Sequence, residues 1–418
     1  MKLNRIILTV ISLILVLAFI FNLCGCTSQI KPTNLMADVT PREVIIPTYS
    51  YSPDGAITDF AVRLFKASNE KDKNTLISPL SVLYALAMTA NGADSETLTQ
   101  IEDTIGIKLD MLNPYLYDYM KNLPQSKNYK LSLANSIWFD EATRFTVNQD
   151  FLQTNADYYG ADIFKAPFNN QTKNDINNWV SQKTDKMIPE ILDKIPAEAV
   201  MYLINALAFE AEWGKAYEKE QIINGNFYKA DGTTQDAKFM RSSEFHYLED
   251  KNAKGFIKYY KDGKYAFVAM LPDENVSLES YVSSLDGASL YNLLDNPQLK
   301  TVNAAIPKFE TEYSSEMSAV LQNMGITHSF SELDANFKKL GTSTEGNIHI
   351  GRVLHKTYIS VAEKGTKAGA VTVIEMKDNS ASLEEPEEIY LNRPFLYMLI
   401  DSENNIPFFI GTMTDIQK

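Results

Sequence analysis

The hydrophobic pattern of the chain becomes regular at residue 57. Ile57, Phe60, Ala61, Leu64 and Phe65 recur at intervals of one, three or four residues. This spacing places apolar side chains on one face of an α-helix. The pattern therefore predicts an amphipathic helix at the start of a folded domain.

The pair Ser78 and Pro79 predicts a second helix start, because it precedes an apolar stretch that runs from Leu80 to Ala90. Serine is a favoured N-cap residue, and proline is favoured in the first helical turn. Five more segments have helical spacing: Asp94 to Ile105, Asn148 to Tyr158, Thr172 to Lys183, Leu278 to Leu285 and Ser314 to Met324.

Other segments are short and apolar and predict strands. Helices dominate early and strands late, without regular βαβ alternation, so the order favours an α+β fold with antiparallel or mixed sheets. The last two strands are separated by four residues and predict a buried hairpin. The predicted strands are Leu131 to Phe139, Met201 to Phe209, Phe256 to Tyr260, Tyr265 to Leu271, Thr301 to Phe309, Val353 to Val361, Phe395 to Asp401 and Ile406 to Met413.

The N-terminus has the pattern of an export signal. Lys2 and Arg5 precede an uncharged run of 16 residues, from Ile6 to Phe21, which is shorter than the roughly 20 residues of a spanning helix. The following Leu-Cys-Gly-Cys resembles a bacterial lipobox, whose last cysteine, here Cys26, becomes lipidated. A plain signal peptide or an uncleaved anchor is the alternative, and each version places the remaining chain outside the cytoplasm.

The domain organisation follows from these patterns. Residues 1–25 are predicted to be a lipoprotein signal peptide, and residues 26–53, with four prolines and no sustained period, a tether. Residues 54–418 are predicted to form the folded domain. We expect the mature protein to be attached to the membrane only through its N-terminal lipid, or else secreted.

Charge and composition exclude several function classes. The net charge of −14 becomes −16 without the signal peptide, because that segment carries two basic and no acidic residues; this disfavours nucleic-acid partners. Cys24 would be removed and Cys26 modified, which leaves no thiol chemistry. The four histidines have no metal-binding spacing, so we expect no metal and no cofactor.

Several short blocks of residues carry a family resemblance by their identity and order. The resemblance, which covers nearly the whole chain from Ile57 onward, is to the serpin family. The blocks are Asn74, Ser78, Pro79, Ser81, Leu86, Met88, Asn91, Gly92, Ala93 and Thr97; Ala134, Asn135 and Phe139; Ile176, Asn177, Trp179 and Val180; Asn205, Ala206, Phe209 and Trp213; Pro307, Lys308 and Phe309; Leu321, Gly325 and Ile326; His355; Glu363, Gly365 and Thr366; and Arg393, Pro394 and Phe395.

The resemblance implies a domain with three β-sheets and about nine helices, with an exposed reactive-centre loop before Pro394. It implies a suicide-substrate inhibitor whose targets are serine proteases or, as an alternative, cysteine proteases. The protein would not itself be an enzyme, and it would be a monomer. The target would cleave the loop and become covalently attached, and the loop would then insert into the main sheet. The implied hinge residues are Glu363, Gly365, Thr366, Ala368, Ala370 and Thr372, and the implied sheet-opening residues are Ser78, Ser81, Asn205, Trp213 and His355.

The sequence departs from the family pattern at two pairs. Glu210 and Ala211 stand where a Lys-Gly pair is usual, and Lys186 and Met187 replace a Gly-Lys pair. Neither pair lies in the segment that inhibition needs.

The hinge segment can also be examined from its alternation alone. Between Gly365 and Lys377 every charged residue falls on one face, and the other face is small near its start, as a strand entering a sheet requires. Alternation by itself would favour an ordinary edge strand, and only the hinge motif reverses that interpretation. Asp378 to Glu388 is polar and predicts a solvated loop. The uncharged face is Thr366, Ala368, Ala370, Thr372, Ile374 and Met376.

The position of the cleaved bond remains open within Met376 to Leu383. Counting the usual family distance from Glu363 favours the bond between Asn379 and Ser380, whereas counting back from Pro394 gives a position near Leu383. Lys377 would suit a trypsin-like protease, and Met376 or Leu383 a protease with an apolar pocket. Asn379 suits neither class clearly.

Two alternatives belong to other classes. A serpin-fold protein without inhibitory activity would be a surface-binding module. A secreted hydrolase with paired carboxylates is the second alternative, but no pair is singled out by its spacing, and no G-x-S-x-G, P-loop or dinucleotide motif occurs.

Overall fold

A computed structural model describes residues 31–47, 52–123, 126–143, 145–196, 199–344, 346–366 and 385–416. The predicted signal peptide and lipidation site at Cys26 lie outside these residues. So do three hinge positions, Ala368, Ala370 and Thr372, and all candidates for the cleaved bond, which are Met376, Lys377, Asn379, Ser380 and Leu383.

Nine α-helices occur in the described residues. They include two that the hydrophobic spacing did not indicate, Leu109–Asn122 and Gly287–Asp295. Single 3₁₀ turns lie at Glu141–Thr143, Lys219–Gln221, Lys261–Gly263 and His328–Phe330. The helices are α1 Asp54–Ser68, α2 Pro79–Ala90, α3 Ser95–Ile105, α4 Leu109–Asn122, α5 Gln149–Tyr159, α6 Asn170–Lys183, α7 Leu278–Ser284, α8 Gly287–Asp295 and α9 Ser318–Asn323.

The described strands form three sheets, so the predicted α+β class with three sheets and about nine helices is confirmed. The strands are β1 Thr33–Asn34, β2 Thr75–Ile77, β3 Tyr129–Asp140, β4 Thr146–Val147, β5 Asp162–Ala166, β6 Met201–Glu212, β7 Ile222–Tyr228, β8 Thr234–Glu249, β9 Ala253–Tyr259, β10 Tyr265–Pro272, β11 Gln298–Pro307, β12 Phe309–Glu316, β13 Gly341–Thr342, β14 Arg352–Ala362, β15 Gly365–Thr366, β16 Glu387–Tyr390, β17 Phe395–Asp401 and β18 Ile406–Met413.

The order of the strands within each sheet differs from their order along the chain. The seven-stranded sheet has the order β1-β5-β3-β6-β15-β14-β12, and the nine-stranded sheet has the order β16-β11-β8-β9-β10-β17-β18-β2, with β7 paired to β8. Strands β13 and β4 form the third sheet. The predicted C-terminal hairpin is confirmed, because β17 and β18 pair antiparallel and both are buried throughout.

The seven-stranded sheet is covered on both faces, as alternate residues of β6 show. Leu203 and Leu207 face the main core with the helix α2, whereas Tyr202 and Ile204 belong to a second apolar cluster that includes Ile176 of α6. A strand buried on both faces has an almost continuous apolar sequence. Helix α2 is buried along its whole length.

Two predicted boundaries were wrong. The segment Ser314 to Met324 is not one helix, because Phe309–Glu316 pairs with β14 as a strand and only Ser318–Asn323 is helical. The predicted solvated loop ends too late, because Glu387 and Glu388 pair with β11 as part of β16. In both places pairing with a distant strand overrides the polar local sequence.

Part of the segment predicted to be a tether is packed on the domain, which corrects the expectation of a free linker over residues 31–47. Thr33 pairs with Lys165 of β5, and Leu35 packs against the main core. The Arg42 guanidinium donates two hydrogen bonds, of 2.9 and 2.7 Å, to one carboxylate oxygen of Asp157. Strand β1 therefore forms one edge of the seven-stranded sheet.

Candidate functional site

The candidate site is the place where the chain enters the seven-stranded sheet at β15. Along most of their length β6 and β14 pair directly with each other, from Arg352 opposite Tyr202 to Tyr358 opposite Ala208. We call this paired run the seam. Beyond it the strands separate, and β15 lies between them.

The two types of pairing at this position differ in direction. The strands of the seam are parallel, whereas β15 is antiparallel to both neighbours. Parallel pairing is slightly less stable per residue than antiparallel pairing. A longer β15 could lie between β6 and β14 only if the seam opened, and it would then replace one parallel ladder with two antiparallel ladders.

The turn before β15 is held by Trp213. Its backbone N–H donates to Lys364 O at 2.9 Å, and its indole N–H donates to Ala362 O at 2.8 Å. The Tyr217 N–H donates to Glu363 O at 2.9 Å. The turn from β14 into β15 is thereby fixed by three hydrogen bonds.

Thr366 is fully buried at the end of β15. Its hydroxyl lies 2.5 Å from the Tyr260 hydroxyl, and the Tyr260 ring stacks on Trp213 at 4.4 Å with an interplanar angle of 5°. Burial raises the pKa of Tyr260. The first residue of the uncharged face therefore points into the core, as its place in the alternation predicts.

Gly365 has a backbone conformation that requires glycine. Its φ is +150°, and a Cβ at this position would lie 2.0 Å from Ala211 O. No side chain fits between the turn and β6 without moving one of them.

An ion pair lies on the outer side of the turn. Lys308 Nζ is 2.6 Å from Glu363 Oε1, and both side chains are about one-third exposed. Partial burial opposes the ionisation of Glu363, but the hydrogen bond from Lys308 and the positive charges nearby outweigh it and lower the pKa of Glu363. At this exposure the pair contributes only modestly to stability.

Four of the predicted sheet-opening residues form one buried cluster at the seam. The Ser78 N–H donates to His355 Nε2 at 3.1 Å, and His355 Nδ1 bonds to Asn205 Oδ1. Ser81 Oγ donates to the same Asn205 oxygen at 3.3 Å, and the Ser81 N–H donates to Ser78 Oγ at 3.2 Å. All four residues are fully buried.

The cluster holds His355 as the neutral imidazole. Nε2 accepts a hydrogen bond, so the proton lies on Nδ1, where it is donated to Asn205. Burial lowers the pKa of His355 to about 3. A second proton would have to be placed on Nε2, directly against the Ser78 N–H.

The seam also contains hydrogen-bond donors without acceptors. Asn205 and Asn135 lie opposite each other on β6 and β3, and their side-chain nitrogens have no partner among the described residues. An unsatisfied buried donor costs on the order of 1 to 3 kcal/mol. The polar cluster therefore leaves the side-chain nitrogen of Asn205 without an acceptor among the described residues.

Strand β16, the first strand after residues 367–384, lies at the edge of the nine-stranded sheet. Glu387 forms ion pairs with Lys300 and with Lys254, the latter at 3.2 Å. The hydrogen bond from Lys300 is the main cause that lowers the pKa of Glu387. Asn303 donates to Glu388 Oε1 at 2.6 Å, so this end is held by charged and polar side chains.

The structure separates the predicted residues into two groups. Ser78, Ser81, Asn205 and His355 are together at the seam, whereas Trp213 is at the turn with Glu363, Gly365 and Thr366. Sequence reasoning did not single out Tyr217, Tyr260, Lys258 and Glu244 near that turn. Lys258 has a detectable signal, since it is a charge within the apolar run of β9.

The described residues contain no cluster of ligands suited to a metal ion. The helices within them are too short or too polar to span a bilayer.

Comparison with known proteins matches this architecture. The family model described as Serpin (serine protease inhibitor) matches residues 55–416. Tengpin, a thermophilic serpin, superposes in its native state with a TM-score of 0.88 at 46% identity, covering 92% of this chain and 100% of Tengpin. Its latent state gives 0.79 at 47% identity, covering 89% and 100%. The plasma serine protease inhibitor of Bos taurus is 28% identical over 88% of this chain and 92% of its own.

The fold is therefore that of a mixed α+β protein with three sheets, in which the short strand β15 lies between β6 and β14 of the seven-stranded sheet. The chain belongs to the serpin family. This membership supports a protease-inhibitor function in general.

Proposed function

We propose that this protein is a suicide-substrate inhibitor of extracellular serine proteases. The target attacks the loop between β15 and β16 and forms an acyl-enzyme through its own nucleophile. Cleavage frees the N-terminal part of the loop, which extends β15 along the seam. The attached protease is dragged along and distorted before it can deacylate.

One observation carries the proposal: β15 already lies between β6 and β14, just beyond the end of the seam. Strand addition of this kind, with release of stored strain, is a known behaviour of serpins. Inserting about a dozen residues would add a comparable number of ladder hydrogen bonds, which makes on the order of 10 kcal/mol available to drive the change.

The register of β15 supports a specific end point. Thr366 pairs with Ala211 and Val361, and an extension in the same register would place Thr372 opposite Asn205 and His355. The hydroxyl of Thr372 would then be an acceptor for the unpartnered side-chain nitrogen of Asn205. Insertion would open the seam at its polar cluster and break the hydrogen bond between His355 and Asn205, and Thr372 would offer Asn205 a new partner.

Thr366→Arg tests the mechanism. A charged side chain at this fully buried position costs several kcal/mol, so the strand should not extend and the variant should be cleaved as a substrate. The measurement is incubation with a panel of serine and cysteine proteases, followed by a denaturing gel. Thr342→Arg, at an exposed position of β13, is the matched control and should behave as the wild type does.

Three results are informative in this experiment. Covalent complexes of the wild type that disappear in Thr366→Arg support inhibition by insertion. Complexes that persist in Thr366→Arg contradict the mechanism. Clean cleavage of the wild type without complexes, and without a gain in thermal resistance of the nicked protein, rejects inhibition and favours a serpin-fold surface-binding module.

We place the cleaved bond between Asn379 and Ser380, on the family's usual distance from Glu363. Mass spectrometry of the small C-terminal fragment released from a complex tests this position. A fragment that begins at any residue other than Ser380 rejects it.

We also propose that the mature protein is attached to the outer face of the cell membrane by a lipid on Cys26. Only residues 27–30 separate Cys26 from the first described residue, so they span at most about 14 Å. Because Thr33 is paired in the sheet, the domain would be held close to the bilayer. A labelled fatty acid supplied to the cells should be incorporated into the wild type and not into Cys26→Ser, and a wild type without label would contradict the lipid anchor.

A further inference from the structure

A buried lysine lies directly behind the turn that leads into β15. Among the described lysines Lys258 is the most buried, with 3% of its surface exposed. Its ammonium is 2.7 Å from Glu244 Oε1. It also lies 4.6 Å from the centre of the Tyr217 ring and 5.3 Å from that of Trp213. The cation is thus enclosed by one carboxylate and two aromatic faces.

The enclosure offsets the cost of burying the charge. Burial alone disfavours the ammonium form, but the charge of Glu244 and the hydroxyl of Tyr217 outweigh it and raise the pKa of Lys258. Ser242 Oγ donates to Glu244 Oε1 at 2.6 Å and lies 3.2 Å from the Tyr217 hydroxyl. Tyr217, Ser242, Glu244 and Lys258 therefore contact one another in a ring, and Lys258 carries a positive charge within it.

Such a pair is a poor means of gaining stability. Replacing a buried ion pair with apolar residues of similar volume is often neutral or stabilising, whereas removing one partner is strongly destabilising. An apolar residue at position 258 would match the rest of β9, whose other inward positions are apolar. The pair therefore calls for a role other than stability.

The two rings that enclose Lys258 are those of the residues that hold the turn. Trp213 donates to Ala362 O and Lys364 O, and Tyr217 donates to Glu363 O. A cation fixed by Glu244 restricts both rings, since movement of either one gives up its contact with the ammonium.

We infer that Lys258, fixed by Glu244, positions Trp213 and Tyr217 so that the turn stays in register while β15 lengthens. Lys258 is a positioning residue, because it does not touch the turn itself. The inference rests on the proposed inhibitory function. With a loose turn the first pairs of β15 lose their register, insertion slows and the acyl-enzyme has more time to hydrolyse.

The test compares Lys258→Met with the double variant Lys258→Met, Glu244→Gln. The single variant leaves Glu244 buried without its cation, so it loses stability as well. The double variant removes the charge pair, and its stability should return close to that of the wild type. Hydrogen exchange of the Trp213 and Tyr217 amides, which donate to the turn, should nevertheless be at least about tenfold faster than in the wild type.

The second measurement is the number of inhibitor molecules consumed for each protease molecule inactivated. This number should rise in the double variant and not in Lys183→Met. Lys183 is a matched control, because it lies 5.7 Å from the centre of the Trp179 ring and 2.5 Å from Asp162 in another part of the fold. A general effect of losing a lysine over an aromatic ring would appear in both.

The outcomes separate this inference from the proposed function. If the wild type traps no protease, the inhibitor proposal fails, and the exchange of the Trp213 and Tyr217 amides still decides whether Lys258 positions the turn. If the double variant matches the wild type in exchange and in inhibitor consumption, the inference is overturned. A double variant that loosens the turn at restored stability supports it.

Discussion

The two ends of the segment from Gly365 to Tyr390 are held by opposite kinds of contact. Its N-terminal end, β15, lies in the middle of a sheet, where Thr366 is fully buried and backbone hydrogen bonds hold the turn. Its C-terminal end, β16, lies at the edge of the other sheet, where Glu387 is bound by two lysines. A buried, uncharged start lets a strand grow, whereas a charged edge resists burial.

The largest effect is expected from Gly365→Ala. A Cβ at this φ of +150° would lie 2.0 Å from Ala211 O, so we expect a loss of on the order of 3 kcal/mol or the withdrawal of β15 from the sheet. Urea unfolding and hydrogen exchange at Thr366 measure the two results. Gly232→Ala is the control, since its φ is +81° but its Cβ would meet nothing within 4 Å, and it should cost about 1 kcal/mol. Equal losses in the two variants would contradict the steric argument.

The buried His355 at the seam should make the stability of the protein sensitive to acid. The pKa of His355 is about 3 in the folded protein against an ordinary value of 6.5, so the unfolded chain binds the proton first. The contribution of His355 to the free energy of unfolding is therefore fully present above about pH 6.5 and is lost as the pH falls toward 3. In this range the free energy of unfolding changes with a slope approaching about 1.4 kcal/mol per pH unit. His355→Gln removes this contribution, while the contributions of the carboxylates stay common to both proteins. Parallel stability curves for the two proteins would reject the buried neutral histidine.

The charged end should respond to salt. Glu387→Gln is expected to cost about 1 kcal/mol at low ionic strength, because its partners are partly exposed. Most of that difference should disappear at 1 M salt. Glu388→Gln, which changes only an exposed contact with Asn303, is the control and should cost less. A loss for Glu387→Gln that does not depend on salt would contradict the electrostatic account of this end.

The smallest effect is expected away from both ends. Lys186 is exposed at the end of α6 with a φ of +64°, where glycine is usual in the family. Lys186→Gly should stabilise the protein by about 0.5 to 1 kcal/mol, because glycine adopts this conformation without strain. The measurement is the midpoint of urea unfolding. A lower midpoint would show that Lys186 makes a contact that outweighs its backbone strain.

Local patterns in the sequence predicted much of this fold. The stripe at Ile57 and the cap at Ser78 became α1 and α2, and the terminal hairpin was placed correctly. The predictions failed where the local sequence and the partner strand favour different secondary structures. Strand β8 has many exposed polar positions, and β12 has a sequence compatible with a helix, so only their partner strands make them strands.

Some parts of the candidate site could be predicted from the sequence, and others could not. The hinge motif is continuous in the chain, so its residues could be named from the sequence. Lys258 and Glu244 could not be paired in advance, because 14 residues and the change from β8 to β9 separate them. The unpartnered nitrogen of Asn205 depends on the register of three strands, which no local pattern specifies.

The sequence by itself determined the family, the α+β class and the uncharged face of the hinge, because each is written in the identity and spacing of nearby residues. Only the tertiary structure decided which hydrogen bonds join Ser78, Asn205 and His355, and that a buried cation lies behind Trp213. Contacts of this kind depend on how strands distant in the sequence are aligned. That alignment is a property of the whole folded chain.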